Sequence, residues 1–460
     1  MSIQVSANVE MNNALLTANS DFFTPILDKV ASLEPSLAWV EALRQQALTG
    51  TSEFALPTRR DEEWRFTNLS ALAETQFGVL AADAVETQAF SADGDRVAPF
   101  VFPEMTQTRL VFVNGVYAPG LSNLEGLPTG IYVGHLPESP AAVQTYLGKL
   151  PGLAEVFSAL NSASFVDAAV VVVPKNQVVE APIHLLFIAT DSSQPVIHQP
   201  RCLVVAESGS RLTLVEHYVA AAVANIPSCL DARTKFPYFT NTVTEIAIAP
   251  NAEVNHTRIQ REAGNAFHIG KTTVTQGRDS RYTCNAITLG AKLSRHNLEV
   301  FQQGEGTQTN LNGLTMIGGE QVADTHSAIA YNHPNGSSDQ LHKCIVDGKA
   351  HAVFNGKVFV PKPAQLTDAA QLNRNLLLSN KGRVDTKPQL EITADNVKCT
   401  HGATVGQLEE EEVFYLQSRG LDAYTSRNLL VDAFAAEILN RIPVRSLQSL
   451  LSRCIACRAN

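Results

Sequence analysis

The 460-residue sequence lacks the features that mark exported, membrane-spanning and nucleic-acid-binding proteins. Its first residues carry neither a basic segment nor an uninterrupted apolar run, and no later run approaches the roughly 18 apolar residues that span a bilayer. Acidic residues outnumber basic ones by 45 to 35, for a net charge of −10. This balance disfavours nucleic acid or an anionic membrane as the main partner. We therefore expect a cytoplasmic protein that binds neither.

Cysteine is scarce and shows no disulfide pattern. The seven cysteines are an odd number and lie far apart, at positions 202, 229, 284, 344, 399, 454 and 457. This spread argues against a disulfide framework and favours reduced thiols. The first four stand singly in or beside strand-like segments, where small core residues are the default. The lone C-x-x-C of Cys454 and Cys457 has no second ligand pair, so we expect a frayed tail there and no zinc or redox site.

Enzyme motifs are also missing. The sequence contains no nucleophile elbow, zincin motif or dinucleotide fingerprint. Residues 264–272 resemble a phosphate loop, but five residues separate the glycines where the motif needs four, and the sequence continues as strand. His326, His333 and His342 fall within 17 residues, yet they bind a metal only if they converge, and a strand-turn-strand segment does not favour that.

A long central stretch has no amphipathic helix, and this predicts the architecture. From about 166 to 404 the apolar runs are four to seven residues long, rich in Val, Ile, Thr, Leu and Phe, and ended by Gly, Asn or Asp. Recurring strands without helical crossovers leave a sandwich, a propeller or a β-solenoid. No blade signature or strict repeat of 20 to 50 residues is visible. The length of the run and turn glycines such as Gly290, Gly304 and Gly336 favour the solenoid.

The two flanks of this stretch read differently. Residues 1–165 predict a mostly helical N-terminal domain, with helical spacing at 22–48 and 139–161, together with a hairpin around Asn114-Gly115. A charged block at 56–67 is interpreted as a solvated helix start with a buried tryptophan. The strand region then forms a domain over 166–404, and residues 405–460 form a helical domain.

Three helices are predicted in the last domain. The first begins with Glu409 to Glu412 in its first turn, where the helix dipole favours negative charge, and stops at Gly420. The second starts at a Thr425-Ser426 cap, stops before Pro443, and presents an apolar stripe made of Leu429, Leu430, Ala433, Phe434, Ile438 and Ile442. A short third helix covers Leu447 to Leu451. Such helices cover the end of the strand domain or dock a partner.

Cys399 and His401 are the strongest chemical candidates. They stand two residues apart at the end of the strand region, and side chains at i and i+2 of a strand point to the same face. A thiolate and an imidazole are both ligands for iron or zinc. The alternative is a small core cysteine beside a hydrogen-bonded histidine at the domain junction.

At these residues the chain resembles a known family. The segment KCTHGATVGQLEEEEVFYLQSRGL, followed by RNLLVDAFAAEILNRI, is similar to the C-terminal signature of SufD proteins, subunits of the SUF iron–sulfur cluster assembly system. The segments LPTRRDEEWRFTNL, DTHSAIAYNHPNGSSDQLHK, AVFNGKVFV, QLNRNLLLS and DTKPQLEITAD extend the resemblance from about 56 to 442. It implies a mainly β fold, a right-handed parallel β-helix core with an N-terminal mixed or helical domain and a C-terminal helical domain.

The resemblance also implies a role and partners. A SufD-like chain is a scaffold without enzymatic activity, which pairs with SufB through the β-helix core and binds the ATPase SufC through its C-terminal helices. SufC hydrolyses the ATP. The residues expected to contact SufC are Glu409, Val413, Phe414, Leu416, Arg419, Leu429, Phe434 and Glu437.

The same resemblance assigns the candidate site. His401 matches the histidine that faces SufB and helps to hold a transient iron–sulfur cluster at the subunit interface, with Cys399 as an auxiliary group. No cofactor is expected to bind the isolated chain stably. The catalytic cysteine of SufB falls where this chain has 372–376, LNRNL, with no thiol. The alternatives are a homodimer of the same subunit and, from the solenoid alone, a carbohydrate lyase or hydrolase.

Overall fold

The computed structural model describes residues 22–28, 37–51, 55–79, 97–225 and 232–458. The strands in chain order are β1 (Gly78–Val79), β2 (Arg109–Val113), β3 (Val116–Tyr117), β4 (Tyr132–His135), β5 (Ala169–Val173), β6 (Ile183–Ala189), β7 (Val196–His198), β8 (Arg201–Ala206), β9 (Arg211–Ala220), β10 (Tyr238–Ile248), β11 (Glu253–Arg261), β12 (Phe267–Gln276), β13 (Arg281–Thr288), β14 (Leu293–Gln302), β15 (Gln308–Ile317), β16 (Val322–Tyr331), β17 (Ser337–Val346), β18 (His351–Val360), β19 (Asp368–Leu377), β20 (Arg383–Ile392) and β21 (Lys398–Gln407). The helices are α1 (residues 22–28), α2 (Ala38–Thr51), α3 (Ser70–Ala73), α4 (Val156–Ser164), α5 (Glu410–Ser418), α6 (Ala423–Leu439) and α7 (Arg445–Arg458).

These strands form the predicted parallel β-helix. One sheet runs in the order β20-β18-β16-β14-β12-β10-β8-β5-β4 and the other in the order β21-β19-β17-β15-β13-β11-β9-β6-β2-β3. We call them the first and second sheets. From β8 onward, successive strands alternate between the sheets, so each of these coils gives one strand to each sheet. No helix in the part of the chain described is long and apolar enough to cross a membrane.

The coils do repeat, although no repeat was visible in the sequence. Leu293 pairs with Val322, and Val322 pairs with His351, so two successive coils each advance by 29 residues. Elsewhere the step differs, as between His351 and Arg383, which are 32 residues apart. A period that drifts in length while its residues also change escapes inspection of one sequence.

One corner of the solenoid explains how the chain turns between sheets. Residues with a left-handed backbone stack there in successive coils: Gly209, Asn251, Asp279, Gly306, Asn335 and Leu366. Several of their N–H groups donate to the carbonyl of the next coil's corner, as Asn335 does to Gln365 at 3.0 Å. Only two of the six are glycines, since asparagine and aspartate tolerate this conformation. Counting glycines therefore found the solenoid but not its corners.

The space between the sheets is the main core. Along one side the inward residues of the first sheet stack in register as a column of branched aliphatic side chains: Val204, Ile246, Val274, Val300, Ile329 and Val358. Burial of each contributes about 1.5–3 kcal/mol. Other inward positions carry polar groups, including Glu216, His256 and Gln340, that are buried and hydrogen-bonded to one another or to neighbours.

The N-terminal region is mixed in structure. The hairpin at Asn114-Gly115 is confirmed, with β2 and β3 antiparallel, and β2 also joins the second sheet beside β6. The prediction of a helix over 139–161 is mostly wrong, because α4 begins only at Val156, where Glu155 caps it. Trp64 is buried as expected, at the end of a short 3-10 turn. Part of the predicted 22–48 helix lies outside the described residues, as does Cys229.

The C-terminal helices differ in detail from the sequence prediction. Helix α5 ends at Ser418, and Gly420 follows its C-cap Arg419 with a φ of 95°, the left-handed stop expected there. Helix α6 begins earlier than predicted because Asp422 is its cap, accepting a hydrogen bond from the Thr425 backbone N–H at 2.8 Å. Its buried face also differs from the predicted stripe and consists of Ser426, Val431, Ala435, Ile438 and Leu439.

The frayed tail predicted around the C-x-x-C pair is wrong. Helix α7 extends over Arg445–Arg458, well beyond the short helix expected. Its Leu447, Leu451, Cys454 and Ile455 are buried in one cluster with α6 and the outer face of the second sheet. Apolar residues at spacings of three and four were the signal for this longer helix.

Candidate functional site

The last coil leaves the β-helix open at one end. In the described structure β20 pairs only with β18, and β21 pairs only with β19, so each presents an unpaired edge of ten residues. Most β21 side chains are exposed, and none of those of β20 is fully buried. An open parallel edge is unusual because it templates pairing with another chain.

The orientation of β21 follows from its hydrogen bonds. Lys398 donates its backbone N–H to Thr367 at 2.8 Å, and the Thr404 carbonyl accepts from Asn375 at 2.9 Å, so both face back into the protein. Backbone groups alternate in direction along a strand. The N–H groups of Cys399, His401 and Ala403 therefore face the open edge.

Cys399 and His401 lie on the same face of β21, as predicted. Their partners on β19 are Ala369 and Gln371, which are buried inward residues. His401 thus continues an inward column that runs from Cys284 through Leu311, Gln340 and Gln371 and that extends back to His256 in the preceding coil. Because no described coil follows, its imidazole is exposed, and no hydrogen-bond partner is found for it among the described residues.

Cys399 has a different environment. It is half-buried and packs against the end of the main core. Burial raises the pKa of its thiol, and the nearby Asp368 carboxylate raises it further. The thiol is therefore held in its protonated form, which is a weak metal ligand. His401 is the more available donor of the two.

The described residues hold no complete metal site. No group of three or more His, Cys, Asp or Glu side chains is placed to bind one ion. His326 lies on the outer face of the first sheet, whereas His342 is buried in the interior and stacks on Phe354, so these histidines do not converge. Residues 267–276 form strand β12, which removes the phosphate-loop reading of that segment.

The C-terminal helices expose apolar side chains. Phe414 is 71% exposed and Leu429 is 46% exposed, while Val413 and Leu416 are half-buried. Tyr415 and Tyr424, which the sequence argument did not select, are also more than half exposed. Glu409 is the exposed N-cap of α5, and Arg419 lies at its C-terminus, stacked on the Tyr415 ring. Exposed apolar surfaces of this kind are typical of sites of protein contact.

Phe434 and Glu437 face the β-helix instead. Lys343, an outward residue of β17 whose side chain is only 2% exposed, forms an ion pair with Glu437 and lies 4.3 Å from the centre of the Phe434 ring. It also donates to the Phe434 carbonyl at 2.8 Å. Arg374 of β19 adds a longer contact to Glu437 at 3.6 Å. We call Lys343, Phe434, Glu437 and Arg374 the helix latch, since they fix α6 on the second sheet.

Sequence reasoning missed the latch and the buried charges of the interior. Glu216 accepts hydrogen bonds from His256 at 2.8 Å and from Thr244 at 2.7 Å. Burial works against ionisation, but the His256 imidazole holds the pKa of Glu216 down to about 2. These residues stand in strand-like runs without a motif, so only the pairing register reveals them.

Comparisons with known proteins agree with the fold and the motifs. The SufBD core domain of the SUF system for FeS cluster assembly matches residues 187–434, and the SufBD protein N-terminal region matches residues 21–185. An iron–sulfur cluster assembly SufBD family protein of Synechocystis sp. is 49% identical over 90% of each chain.

Two further relatives are 33% identical. The iron–sulfur cluster assembly protein SufD of Escherichia coli aligns with 89% of this chain and 91% of its own length. Protein ABCI7, chloroplastic, of Arabidopsis thaliana aligns with 94% of this chain and 90% of its own length. The chain therefore belongs to the SufBD family of the SUF system for iron–sulfur cluster assembly, as its motifs predicted.

Proposed function

We propose that this chain is a scaffold subunit for iron–sulfur cluster assembly that pairs with SufB through its open β-helix end and binds the ATPase SufC through its C-terminal helices. Membership of the SufBD family supports the assembly role. The observation that carries the pairing is the unpaired ten-residue edge of β21, which presents His401. No carbohydrate-degrading activity is needed to explain the solenoid.

The open edge suits strand addition. A partner strand laid beside β21 receives the N–H groups of Cys399, His401 and Ala403 and covers side chains that are now exposed. Residues on the partner strand then lie about 4.8 Å from β21. This distance brings donor atoms of the partner close to the His401 imidazole.

The site on this chain is half of a cluster site in the proposal. Two donors, His401 and Cys399, are too few for iron, and the cluster is the cargo of assembly and not a resident cofactor. The His401 imidazole supplies a neutral ligand at the interface. Cys399 acts as a neighbour whose thiol loses its proton only on metal binding. The partner supplies the remaining donors.

The helices provide a separate contact for the ATPase. Phe414, Leu429 and the half-buried Val413 and Leu416 offer the apolar centre of an interface, with Glu409 and Arg419 at its rim. Phe434 and Glu437 contribute by holding α6 in place through the latch. ATP hydrolysis belongs to that partner. The compartment stays a prediction, since the sequence favours the cytoplasm and the Arabidopsis relative is named chloroplastic.

Co-expression tests the proposal. The tagged chain is expressed with SufB-type and SufC-type proteins of its host, and all three are expected in one complex after affinity purification and size-exclusion chromatography. Phe414→Ala combined with Leu429→Ala is expected to remove only the ATPase. A chain that stays alone while its partners associate contradicts the proposal, and a stable homodimer supports the alternative of self-pairing.

Two matched variants test strand addition. Ala403→Pro removes one N–H from the open edge but none from the β19 ladder, and the preceding Gly402 accepts the constraint that proline imposes. We expect it to lose SufB while the isolated chain melts almost normally. Ala403→Val keeps the backbone N–H, and this variant is expected to bind SufB. Equal SufB recovery with all three chains rules out this edge as the contact.

A further inference from the structure

A second candidate site lies on the outer face of the first sheet, away from the open end of β21. A trough of about 540 Å³ runs along β16 there. Its size is within the range of small-molecule sites, roughly 300–1,000 Å³. The Glu63 and Trp64 side chains from the N-terminal region close one end. Several lining residues belong to the segments that resemble the family, but the proposed assembly role does not use the trough.

The pairing register gives the trough a floor of small residues between larger walls. Ala330 of β16 pairs with Phe301 of β14 on one side and with Phe359 of β18 on the other. The two phenylalanines therefore stand two strands apart, about 9.6 Å at the backbone. A flat ring placed over Ala330 lies about 4.8 Å from each, which is within the range of stacked aromatic pairs.

The next row along the trough is charged. Ala328 continues the floor, with Glu299 on one side and Lys357 on the other. This row is two residues from the aromatic row, about 6.7 Å along the strand. The Lys357 ammonium is paired with Glu391 at 2.7 Å, and both side chains are more than one third exposed. Glu299 is already paired with the buried Lys271 at 2.5 Å.

The third row fixes the polar end. His326 lies on the floor and forms ion pairs with Asp324 at 2.9 Å and Glu63 at 3.0 Å. Arg295 stacks on the Trp64 ring at 3.8 Å and bonds to Asp324 at 2.6 Å. The charged groups at this end of the trough are therefore paired with one another. Lys357 is the lysine of the trough whose partner sits on an exposed, movable side chain.

We propose that this trough binds a small organic anion with a flat aromatic ring, with the ring between Phe301 and Phe359 and the anionic group on Lys357. On binding, the anion takes the place of the Glu391 carboxylate at Lys357. The site lies on the outer face of the first sheet, whereas the proposed pairing uses the edge of β21 and the ATPase contact uses the C-terminal helices; of the residues named here, only Glu391 stands on the edge strand β20. Its success or failure therefore leaves the assembly role untouched, and the isolated full chain is sufficient for the test.

Three matched probes separate ring from charge in isothermal titration calorimetry. Adenosine 5′-monophosphate has both parts, adenosine has only the ring, and ribose 5-phosphate has only the anion. We expect the monophosphate to bind and each of the others to bind at least three times more weakly. If the monophosphate does not bind at millimolar concentration, or if adenosine or ribose 5-phosphate binds as tightly as the monophosphate, the proposal is wrong.

Three variants, one substitute variant and one control locate the bound monophosphate. Ala330→Leu fills the floor from an outward position and should abolish binding; if it melts abnormally, Phe359→Ala replaces it. Lys357→Gln should weaken the monophosphate about threefold, a typical effect for a partly exposed ion pair. Glu391→Gln should increase the affinity for the monophosphate about twofold, because it removes the competing carboxylate. Lys349→Gln, which breaks an exposed ion pair with Glu320, is the matched control and should change nothing. Equal effects at Lys357 and Lys349, or weaker binding by Glu391→Gln, overturn the assignment.

Discussion

The middle coils and the last coil place polar side chains in the same column with opposite results. Cys284, Gln340 and Gln371 are buried because another coil covers each of them. His401 occupies the equivalent position on β21, but no described coil covers it. Exposure here is set by the place of the coil in the stack. The column thus becomes available for chemistry only where the stack ends.

The charged side chains buried inside the middle coils are held by hydrogen bonds and ion pairs within the fold. The Glu216 carboxylate receives hydrogen bonds from three residues, His256, Tyr218 and Thr244. Burial lowers the pKa of His256, but hydrogen bonds with Cys284 and Glu216 outweigh it and raise this pKa to about 9. The pair is therefore ionised at neutral pH. Breaking such a pair leaves a buried charge without a partner.

Glu216→Ala should give the largest effect and sharpen this contrast. Removal of the carboxylate leaves the buried His256 imidazole without its ionic partner. We therefore expect a loss of about 3–5 kcal/mol in the free energy of unfolding. Urea titration followed by circular dichroism measures it. Glu216→Gln keeps two hydrogen-bonding atoms and should lose less. A loss below that of an ordinary exposed substitution contradicts the structural reading of the pair.

The pH dependence of that loss has a definite sign. His256 has a raised pKa in the folded chain, so its contribution is complete below the ordinary histidine pKa and disappears as the pH rises through about 9. Glu216 has a lowered pKa, so its contribution is lost as the pH falls toward about 2. The difference in the free energy of unfolding between the wild type and Glu216→Ala should therefore be large at pH 7 and small above pH 9. A difference that stays constant to pH 10 excludes an ionised pair.

Lys343→Ala should give the second-largest loss of stability, because it breaks the helix latch. The substitution removes the ion pair with Glu437 and the contact with the Phe434 ring. We expect the free energy of unfolding to fall by about 1–2 kcal/mol. Hydrogen exchange should rise in α6 and α7 while the middle coils stay protected. Arg374→Ala, with its longer and more exposed contact, is the control and should change less. Uniform exchange across the chain contradicts a local latch.

The sequence predicted the type of fold better than its details. Short apolar runs without helical crossovers reduced the choice to a sandwich, a propeller or a solenoid, and the length of the run and the turn glycines favoured the solenoid. The corners escaped because asparagine, aspartate and even Leu366 adopt the left-handed backbone that glycine was expected to supply. Their conformation is fixed by hydrogen bonds between coils, which no single coil reveals.

In the candidate site, too, the sequence predicted the general arrangement but not the environment of each residue. The i, i+2 spacing of Cys399 and His401 correctly predicted a shared face on one strand. The difference in burial between them depends on how β21 covers the end of the core, and this is a tertiary effect. In α6, likewise, Leu429, Ala433 and Ile438 were assigned to one apolar stripe. Of these three only Ile438 is buried, and it packs on the second sheet together with Val431 and Ala435. Propensity located the helix, and packing chose its face.

Gln371→Ala tests the column one coil before its end. The Gln371 amide donates to Gln340 at 2.8 Å, and Gln340 donates to Ser327 at 2.6 Å, so the chain of bonds crosses from one sheet to the other. Removal of the first member leaves the buried Gln340 oxygen unsatisfied. We expect a loss of about 1 kcal/mol in urea titration. No loss would show that solvent already reaches this coil.

His401→Ala should give the smallest effect on stability and the clearest effect on function. The imidazole has no partner among the described residues and is exposed, so the free energy of unfolding should change by less than about 0.5 kcal/mol. In the purified complex, however, iron and sulfide bound after anaerobic reconstitution should fall, because a ligand at the proposed interface is gone. Thr400→Ala, on the opposite face of the same strand, is the matched control and should leave both quantities unchanged. Normal iron and sulfide in His401→Ala removes the ligand role, whereas loss of the complex itself assigns His401 to pairing.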